Sequence, residues 1–316
     1  MRNRRAFGAL LVAAAILAVR CGGSSSSPTA PPTTPTPIPP TPQPTPNPIP
    51  SGPQTFVGAG DIAQCDPTLE PALATGRMLD TIGGTIFTAG DNSYYAASDD
   101  DFRNCYQPSW GRFLGRTFPV PGNHEYETYP DAAPYYRYFG AQAGMPGVGY
   151  YSYDVGDWHI IALNSNYRQG IGVTANSPQG AWLQADLAAH KNKCALAIWH
   201  HPLFSSGPNG FNNDMRDFWR ILYNAGVDVI VNGHDHLYER FAPQTPDGIR
   251  DDAKGIRQFT VGTGGAALYD FVTRAANSER QIKAFGIVKF TLSSDSYQWE
   301  FLPVSGASDA GTASCH

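Results

Sequence analysis

The sequence predicts an α/β layer fold with a polar site at the carboxyl ends of its strands, on three observations. From Gln54 onward, short β-branched and aromatic runs alternate with segments of helical spacing, the pattern of strands and covering helices arranged in layers. Three of those runs end in Gly60-Asp61, Gly90-Asp91 and Gly122-Asn123-His124, so a glycine turn presents a potential ligand each time. Two later runs end in His200-His201-Pro202 and Gly233-His234-Asp235-His236.

Residues 55–59 are the first strand, and residues 69–79 are read as a helix leading to a second strand at 85–89. Residues 101–114 space Phe102, Tyr106, Trp110 and Phe113 on one helical face before a third strand at 117–120. Gly156-Asp157, between runs at 150–155 and 158–163, signals a hairpin in which His159 is a sheet histidine. The tyrosines of that hairpin and of 135–138 read as core residues. Ser177 as N-cap and Pro178 in the first turn open a helix that carries Trp182, Leu183 and Leu187 inward and ends near His190. Residues 194–199 form a buried strand, and a helix at 214–225 precedes the strand 227–231. The tail is mostly strands, at 257–261, 286–292 and 297–304, and Gly262 to Gly265 read as a tight turn or a substrate-side loop.

With 316 residues, 41% hydrophobic and 16% charged, the chain has room for one large domain or two small ones. Arg2, Arg4 and Arg5 followed by the apolar run 6–19 read as a secretory signal over residues 1–21. Cys21-Gly22-Gly23 looks like the start of a lipid-anchored bacterial lipoprotein, whereas Arg20 replaces the small residue expected before it, which leaves lipidation and simple cleavage both open. Residues 22–54 are expected to be a disordered linker: twelve of the 27 prolines lie between Pro28 and Pro50. Such a stretch extends as polyproline II, roughly 70 Å at about 3.1 Å per residue.

Without residues 1–21 the chain has 18 Lys+Arg against 27 Asp+Glu, a formal charge of −9, which argues against binding nucleic acid through its phosphates. Cys65, Cys105, Cys194 and Cys315 then remain, an even set that favours two disulfides in an exported chain. Three connectivities are open. Cys65 with Cys105 and Cys194 with Cys315 is preferred, because the first pair flanks adjacent site loops and the second pins the tail.

The polar strand ends are Asp61, Asp91 with Tyr94, Asn123 with His124, His200, and His234 with His236. Residues at i and i+2 leave a strand on the same side, so both imidazoles of the last pair can reach one point. Carboxylates, an amide oxygen, imidazoles and a phenolate suit hard or borderline metal ions, and no thiolate is among them. The set is too large for one ion. Two ions sharing Asp91 would each have four protein ligands and keep positions for water and substrate, an arrangement used in hydrolysis.

In order and spacing, Gly60-Asp61, Gly90-Asp91-Asn92-Ser93-Tyr94, Gly122-Asn123-His124-Glu125, His200-His201-Pro202 and Gly233-His234-Asp235-His236 resemble the motifs of the calcineurin-like metallophosphoesterases. Within them the chain is most similar to purple acid phosphatases, in a compact bacterial single-domain form, over about residues 55–304. The resemblance implies a four-layer αββα sandwich with a dinuclear metal site at the strand carboxyl ends, in a catalytic domain spanning 55–316. Ala63 stands where many phosphodiesterases of the superfamily have a ligating histidine. Tyr94 stands where purple acid phosphatases place a tyrosinate, which favours ferric iron.

Carried over residue by residue, the resemblance assigns Asp61, Asp91, Tyr94 and His236 to Fe(III), and Asp91, Asn123, His200 and His234 to divalent iron, zinc or manganese. His124 is left to face the substrate, stabilise the phosphoryl group and protonate the leaving alcohol. Glu125 is expected either to orient His124 or to lie at the surface. The implied reaction is in-line attack of a metal-bound hydroxide on a phosphomonoester, without a phosphoenzyme. Plant-type enzymes have further histidines after the His-x-Pro motif, where this chain reads Leu203 to Asn209. His201 is one substitute, although strand alternation is expected to turn it away from its neighbour. The plant enzymes' N-terminal sandwich domain has no counterpart, and the linker occupies its place.

Two other readings compete. A phosphodiesterase or nucleotidase of the same fold is disfavoured by Ala63, and a non-catalytic stalked surface binding protein by the intact ligand set. The expected partner is a small phosphoester substrate, with location in the periplasm, at the cell surface through a lipidated Cys21, or in the medium.

Overall fold

The computed structural model describes residues 52–192 and 194–316. The expected signal segment, Cys21 and almost all of the proline-rich linker lie outside the described residues. Thirteen strands occur among the described residues: β1 (Gln54–Ala59), β2 (Thr85–Ala89), β3 (Thr117–Val120), β4 (Tyr151–Val155), β5 (Trp158–Ala162), β6 (Cys194–Ile198), β7 (Val229–Asn232), β8 (Tyr238–Phe241), β9 (Arg257–Val261), β10 (Ser278–Ile282), β11 (Gly286–Leu292), β12 (Ser296–Pro303) and β13 (Asp309–Ser314). They form a six-stranded sheet in the order β13-β12-β11-β1-β2-β3 and a seven-stranded sheet in the order β10-β8-β9-β7-β6-β5-β4. In the first, β1-β2-β3 are parallel with β3 at the edge and β11-β12-β13 antiparallel on the other side; in the second, β5-β6-β7-β9 are parallel with antiparallel strands at both flanks.

Parallel strands buried on both faces carry apolar residues at successive positions rather than alternate ones. Phe56 and Phe87 enter the core between the sheets, while their neighbours Val57 and Ile86 face the helical layer on the other side. In the second sheet Leu196 and Val231 point to the inter-sheet core, and Ala197 and Ile230 to the opposite layer. Helix Glu70–Met78, the helical stretch 99–109 and helix Ala133–Phe139 cover the first sheet. Helices Pro178–Ala189 and Arg216–Ala225 cover the second through Leu183, Phe218, Trp219 and Leu222. The layers therefore run helix, sheet, sheet, helix, as expected.

Ser177 Oγ accepts the Gly180 N–H at 3.1 Å, which is the cap predicted for helix Pro178–Ala189. The helix predicted over 101–114 is instead broken: a capped α-turn at Asp99–Asp101 leads into a π-helical segment, Phe102–Tyr106, and a 3-10 segment closes it at Gly111–Arg116. Phe102, Tyr106 and Trp110 are still buried together, because the apolar face and not the exact pitch is what the sheet below demands. The structure contains the disulfides Cys65–Cys105 and Cys194–Cys315.

Strands β8, β10 and β13 were not foreseen. Their sequences, Tyr-Glu-Arg-Phe, Ser-Glu-Arg-Gln-Ile and Asp-Ala-Gly-Thr-Ala-Ser, carry charges or small residues in place of an apolar alternation. Glu239 of β8 is fully buried, and it accepts the Ser206 N–H at 2.8 Å and hydroxyl bonds from Ser206 and Ser278 at 2.5 Å.

Candidate metal centre

Every predicted ligand lies on a loop leaving the carboxyl end of β1, β2, β3, β6 or β7. The backbone is forced there: Asp61, Asp91 and His234 adopt left-handed φ values of 58°, 47° and 69°. Each costs a non-glycine residue on the order of 1 kcal/mol, and such strain concentrates where side chains are aimed for a purpose. Glycines admit the close approach that follows. A Cβ on Gly122 would lie 2.1 Å from Asp91 Oδ1, and one on Gly233 2.5 Å from Asp61 Oδ2.

Two donor sets result, and they meet at one oxygen. Tyr94 Oη lies 2.9 Å from Asp61 Oδ1, 3.1 Å from Asp91 Oδ2 and 3.1 Å from His236 Nε2. His236 Nε2 is 3.2 Å from Asp61 Oδ1. On the other side His200 Nε2 is 3.2 Å from Asp91 Oδ2, 3.1 Å from Asn123 Oδ1 and 3.2 Å from His234 Nδ1. Asp91 Oδ2 belongs to both. Ligand atoms about 2.1 Å from one ion lie about 3 Å apart when adjacent, so each set fits one ion.

The surroundings aim these donors. His200 Nδ1 is occupied by the Ala89 carbonyl and His236 Nδ1 by the Ala267 carbonyl, both at 2.8 Å, which turns each Nε2 inward. The unused carboxylate oxygens are held too: His234 N–H donates to Asp61 Oδ2 and His124 N–H to Asp91 Oδ1, each at 2.9 Å. The set attracts positive charge. Burial opposes a charged His200, yet Asp91 and Asp61 raise it to about 10, while burial and the neighbouring His200 drive His234 down to about 3. Burial and then the Asp61 and Asp91 carboxylates push the Tyr94 phenol well above its usual range, a balance that a shared cation reverses.

A cleft of about 560 Å³ opens over the donors, and His124 lines it. Its Nδ1 contacts the Tyr95 carbonyl at 2.8 Å and Glu127 Oε2 at 3.3 Å, and its Nε2 lies 3.9 Å from Asp91 Oδ2. Glu125 corrects both expectations for it. It is fully buried, and its carboxylate accepts backbone N–H groups of Gly122 at 2.6 Å, Asn92 at 2.7 Å and Asp91 at 3.1 Å instead of touching His124. It ties the β2 loop to the β3 loop. His201 departs from strand alternation: its ring centre is 4.4 Å from that of His234 and it lines the cleft. The strand has ended at Ile198, so period two no longer holds at residue 201. Ala63 contributes only backbone, donating to Asn92 O and accepting from Tyr94 N.

Tyr269 was not singled out from sequence. It stacks on His236 with centroids 4.0 Å apart and lines the cleft, but it stands in a loop with no local motif. The Gly262–Gly265 segment is structural: Gly264 N donates to Gly60 O at 2.9 Å and its carbonyl accepts the Thr75 hydroxyl at 2.6 Å, beneath the site.

A double sheet with an acidic and imidazole donor cluster at its strand ends defines a class, the metal-dependent phosphoesterases. Residues 50–238 match the family described as calcineurin-like phosphoesterase, and the chain belongs to that family. It is similar to purple acid phosphatases within it. Purple acid phosphatase 21 of Arabidopsis thaliana is 31% identical over 236 residues, covering 67% of this chain and 50% of that protein. Acid phosphatase type 7 of Homo sapiens is 27% identical over 215 residues, 58% of this chain and 46% of its own. The chain thus spans about half the length of the curated relatives it matches. In fold it resembles a purple acid phosphatase from seeds of yellow lupin (Lupinus luteus), with a TM-score of 0.69, 21% identity, and coverage of 85% of this chain and 55% of the other. That family implies a dinuclear metal centre.

Proposed function

We propose that this chain is an exported phosphatase that hydrolyses phosphomonoesters with two metal ions. The observation that carries the reading is the meeting of two four-donor sets at Asp91 Oδ2 under an open cleft. Asp61, Asp91, Tyr94 and His236 would hold Fe(III), for which a phenolate is the favouring ligand. Asp91, Asn123, His200 and His234 would hold a divalent iron, zinc or manganese ion. Bound there, the two ions supply Lewis-acid neutralisation of the phosphoryl oxygens and a water acidic enough to attack phosphorus in line.

The remaining work belongs to side chains. His124 donates Nδ1–H to the Tyr95 carbonyl and keeps Nε2 for the cleft, where in the imidazolium form its Nε2–H binds a phosphoryl oxygen and then passes to the departing alcohol, leaving a neutral ring. Ala63 removes the histidine that phosphodiesterases of the superfamily use, which favours monoesters. Export is supported by two disulfides, which persist in oxidising compartments.

The test sets a chromogenic phosphomonoester beside its diester, with and without a chelator. Chelator-sensitive turnover that favours the monoester, and that collapses by two orders of magnitude or more in His124→Ala with metal content retained, is the expected result. Preference for the diester would move the reading to phosphodiesterase. Metal binding without turnover would make the chain a binding protein.

A further inference from the structure

Resting on the phosphatase reading, we propose that Arg168 and His201 form an anion subsite beside the reaction centre. It selects phosphomonoesters whose leaving group carries a second oxyanion.

The hydrogen-bond pattern fixes what His201 offers. Ser165 is fully buried, and its Oγ accepts the His201 backbone N–H at 3.1 Å and lies 2.8 Å from His201 Nδ1. Among the described residues the Ser165 hydroxyl has no other acceptor than that nitrogen, so leaving it unbonded would strand a buried donor. The hydroxyl therefore donates to Nδ1. The ring proton then sits on Nε2, which has no hydrogen-bond partner among the described residues, in a side chain that lines the cleft. His201 itself is only 5% exposed, so this donor is fixed in place.

Arg168 supplies the charge. Its Nε donates to Tyr167 Oη at 3.0 Å, and its guanidinium carbon lies 5.5 Å from the Tyr167 ring centre. Tyr167 in turn meets His201 edge-on, with centroids 5.8 Å apart. Among the described residues Arg168 has no carboxylate partner, and it is the one Lys or Arg in the wall of the cleft. The acids of that wall outside the metal set are Glu127 and Asp214. Glu127 is engaged by Asn123 Nδ2 at 2.8 Å and His124 Nδ1 at 3.3 Å, and Asp214 stands in the 3-10 turn Asn213–Met215, where its backbone N–H donates to the Asn212 side chain at 3.2 Å. A guanidinium with no carboxylate partner and a fixed N–H donor lining one cleft on either side of Tyr167 make a receptor for carboxylate or phosphate oxygens. Because His201 packs on His234, a donor of the divalent set, the subsite lies next to where the phosphoryl group is placed.

The experiment measures phosphate release from matched pairs: 2-phosphoglycolate against ethyl phosphate for a carboxylate, and propane-1,3-diol bisphosphate against propyl phosphate for a second phosphate. In the full-length, metal-loaded protein, kcat/KM should favour the anionic member of at least one pair by about tenfold, and the preference should shrink as salt rises. Which pair shows it identifies the oxyanion. Arg168→Ala should bring that ratio to about one, and Arg168→Lys should restore part of it. His201→Gln, which keeps an N–H near the position of Nε2, should retain more of the ratio than His201→Leu at equal metal content. A wild-type ratio near one in both pairs, or a ratio unchanged in Arg168→Ala, overturns the subsite and leaves the phosphatase reading standing. Hydrolysis of none of the four esters overturns the phosphatase reading and the subsite with it.

Discussion

Tyr94 is a single phenol whose oxygen touches two carboxylates and an imidazole, so its protonation state decides what that cluster can hold. Loaded with ferric iron, the protein should be coloured by phenolate-to-iron charge transfer. Tyr94→Phe should abolish the visible band while leaving the far-ultraviolet dichroism unchanged, and a band that survives would remove Tyr94 from the ferric set. Glu125 acts at the same scale through the backbone. Glu125→Ala strands buried N–H groups of Gly122, Asn92 and Asp91, a loss of roughly 3 kcal/mol. For a domain of this size that is a fall in melting midpoint on the order of 10 °C, readable by calorimetry. The candidate ligands could be read from sequence because Asp61, Asp91, Asn123 and His234 each follow a glycine at the end of an apolar run, His200 ends such a run directly, and Tyr94 and His236 stand within three residues of one of these. Glu125 and Tyr269 could not, since nothing local tells a buried carboxylate from a solvated one, or a ring in a loop from a stacking partner.

Helix Pro178–Ala189 is fastened to the β4–β5 hairpin by a buried charge relay. His159 Nε2 bonds Asp186 Oδ2 at 2.8 Å and Nδ1 bonds Asp154 Oδ1 at 3.0 Å, while the His190 ring stacks on His159. Burial opposes a charged His159, but the bonds to Asp186 and Asp154 outweigh it and raise its pKa. Burial likewise opposes ionised Asp186, and the bonds from His159 and Ser152 outweigh it and lower that pKa. The imidazolium therefore stabilises fully below its unfolded value of about 6.5, and the contribution disappears as pH rises through the elevated folded value. The carboxylate's part is present above about 3.9 and fades as pH falls through the lowered folded value. Denaturant unfolding should show stability declining from pH 6 towards pH 9, with a shallower slope in His159→Gln; equal slopes would sink the relay. Elements of this kind were only half legible. β5 and the helix announce themselves by hairpin and cap, whereas β8 and β13 carry no alternation and are held by the buried Glu239 and by the disulfide at Cys315.

At the scale of the whole molecule, Cys194–Cys315 joins the edge strand of one sheet to a central strand of the other across 121 residues. Loop-closure entropy for that span is about 5 kcal/mol, against about 4 kcal/mol for the 40 residues closed by Cys65–Cys105. Cys315→Ser should accordingly lower the denaturant midpoint more than Cys65→Ser. The reverse order would mean that β13 contributes little to the cooperative unit.

Each donor set draws from both sheets: Asp61, Asp91, Tyr94 and Asn123 stand on the six-stranded one, and His200, His234 and His236 on the seven-stranded one. An ion bound by either set would bridge the two sheets, so its binding and their packing would be coupled, and linkage makes that coupling reciprocal. A packing defect where Phe259 of the seven-stranded sheet meets Phe290 of the six-stranded one, ring centres 5.2 Å apart, should therefore weaken ion retention without touching a ligand, and removing the ion should loosen that same contact.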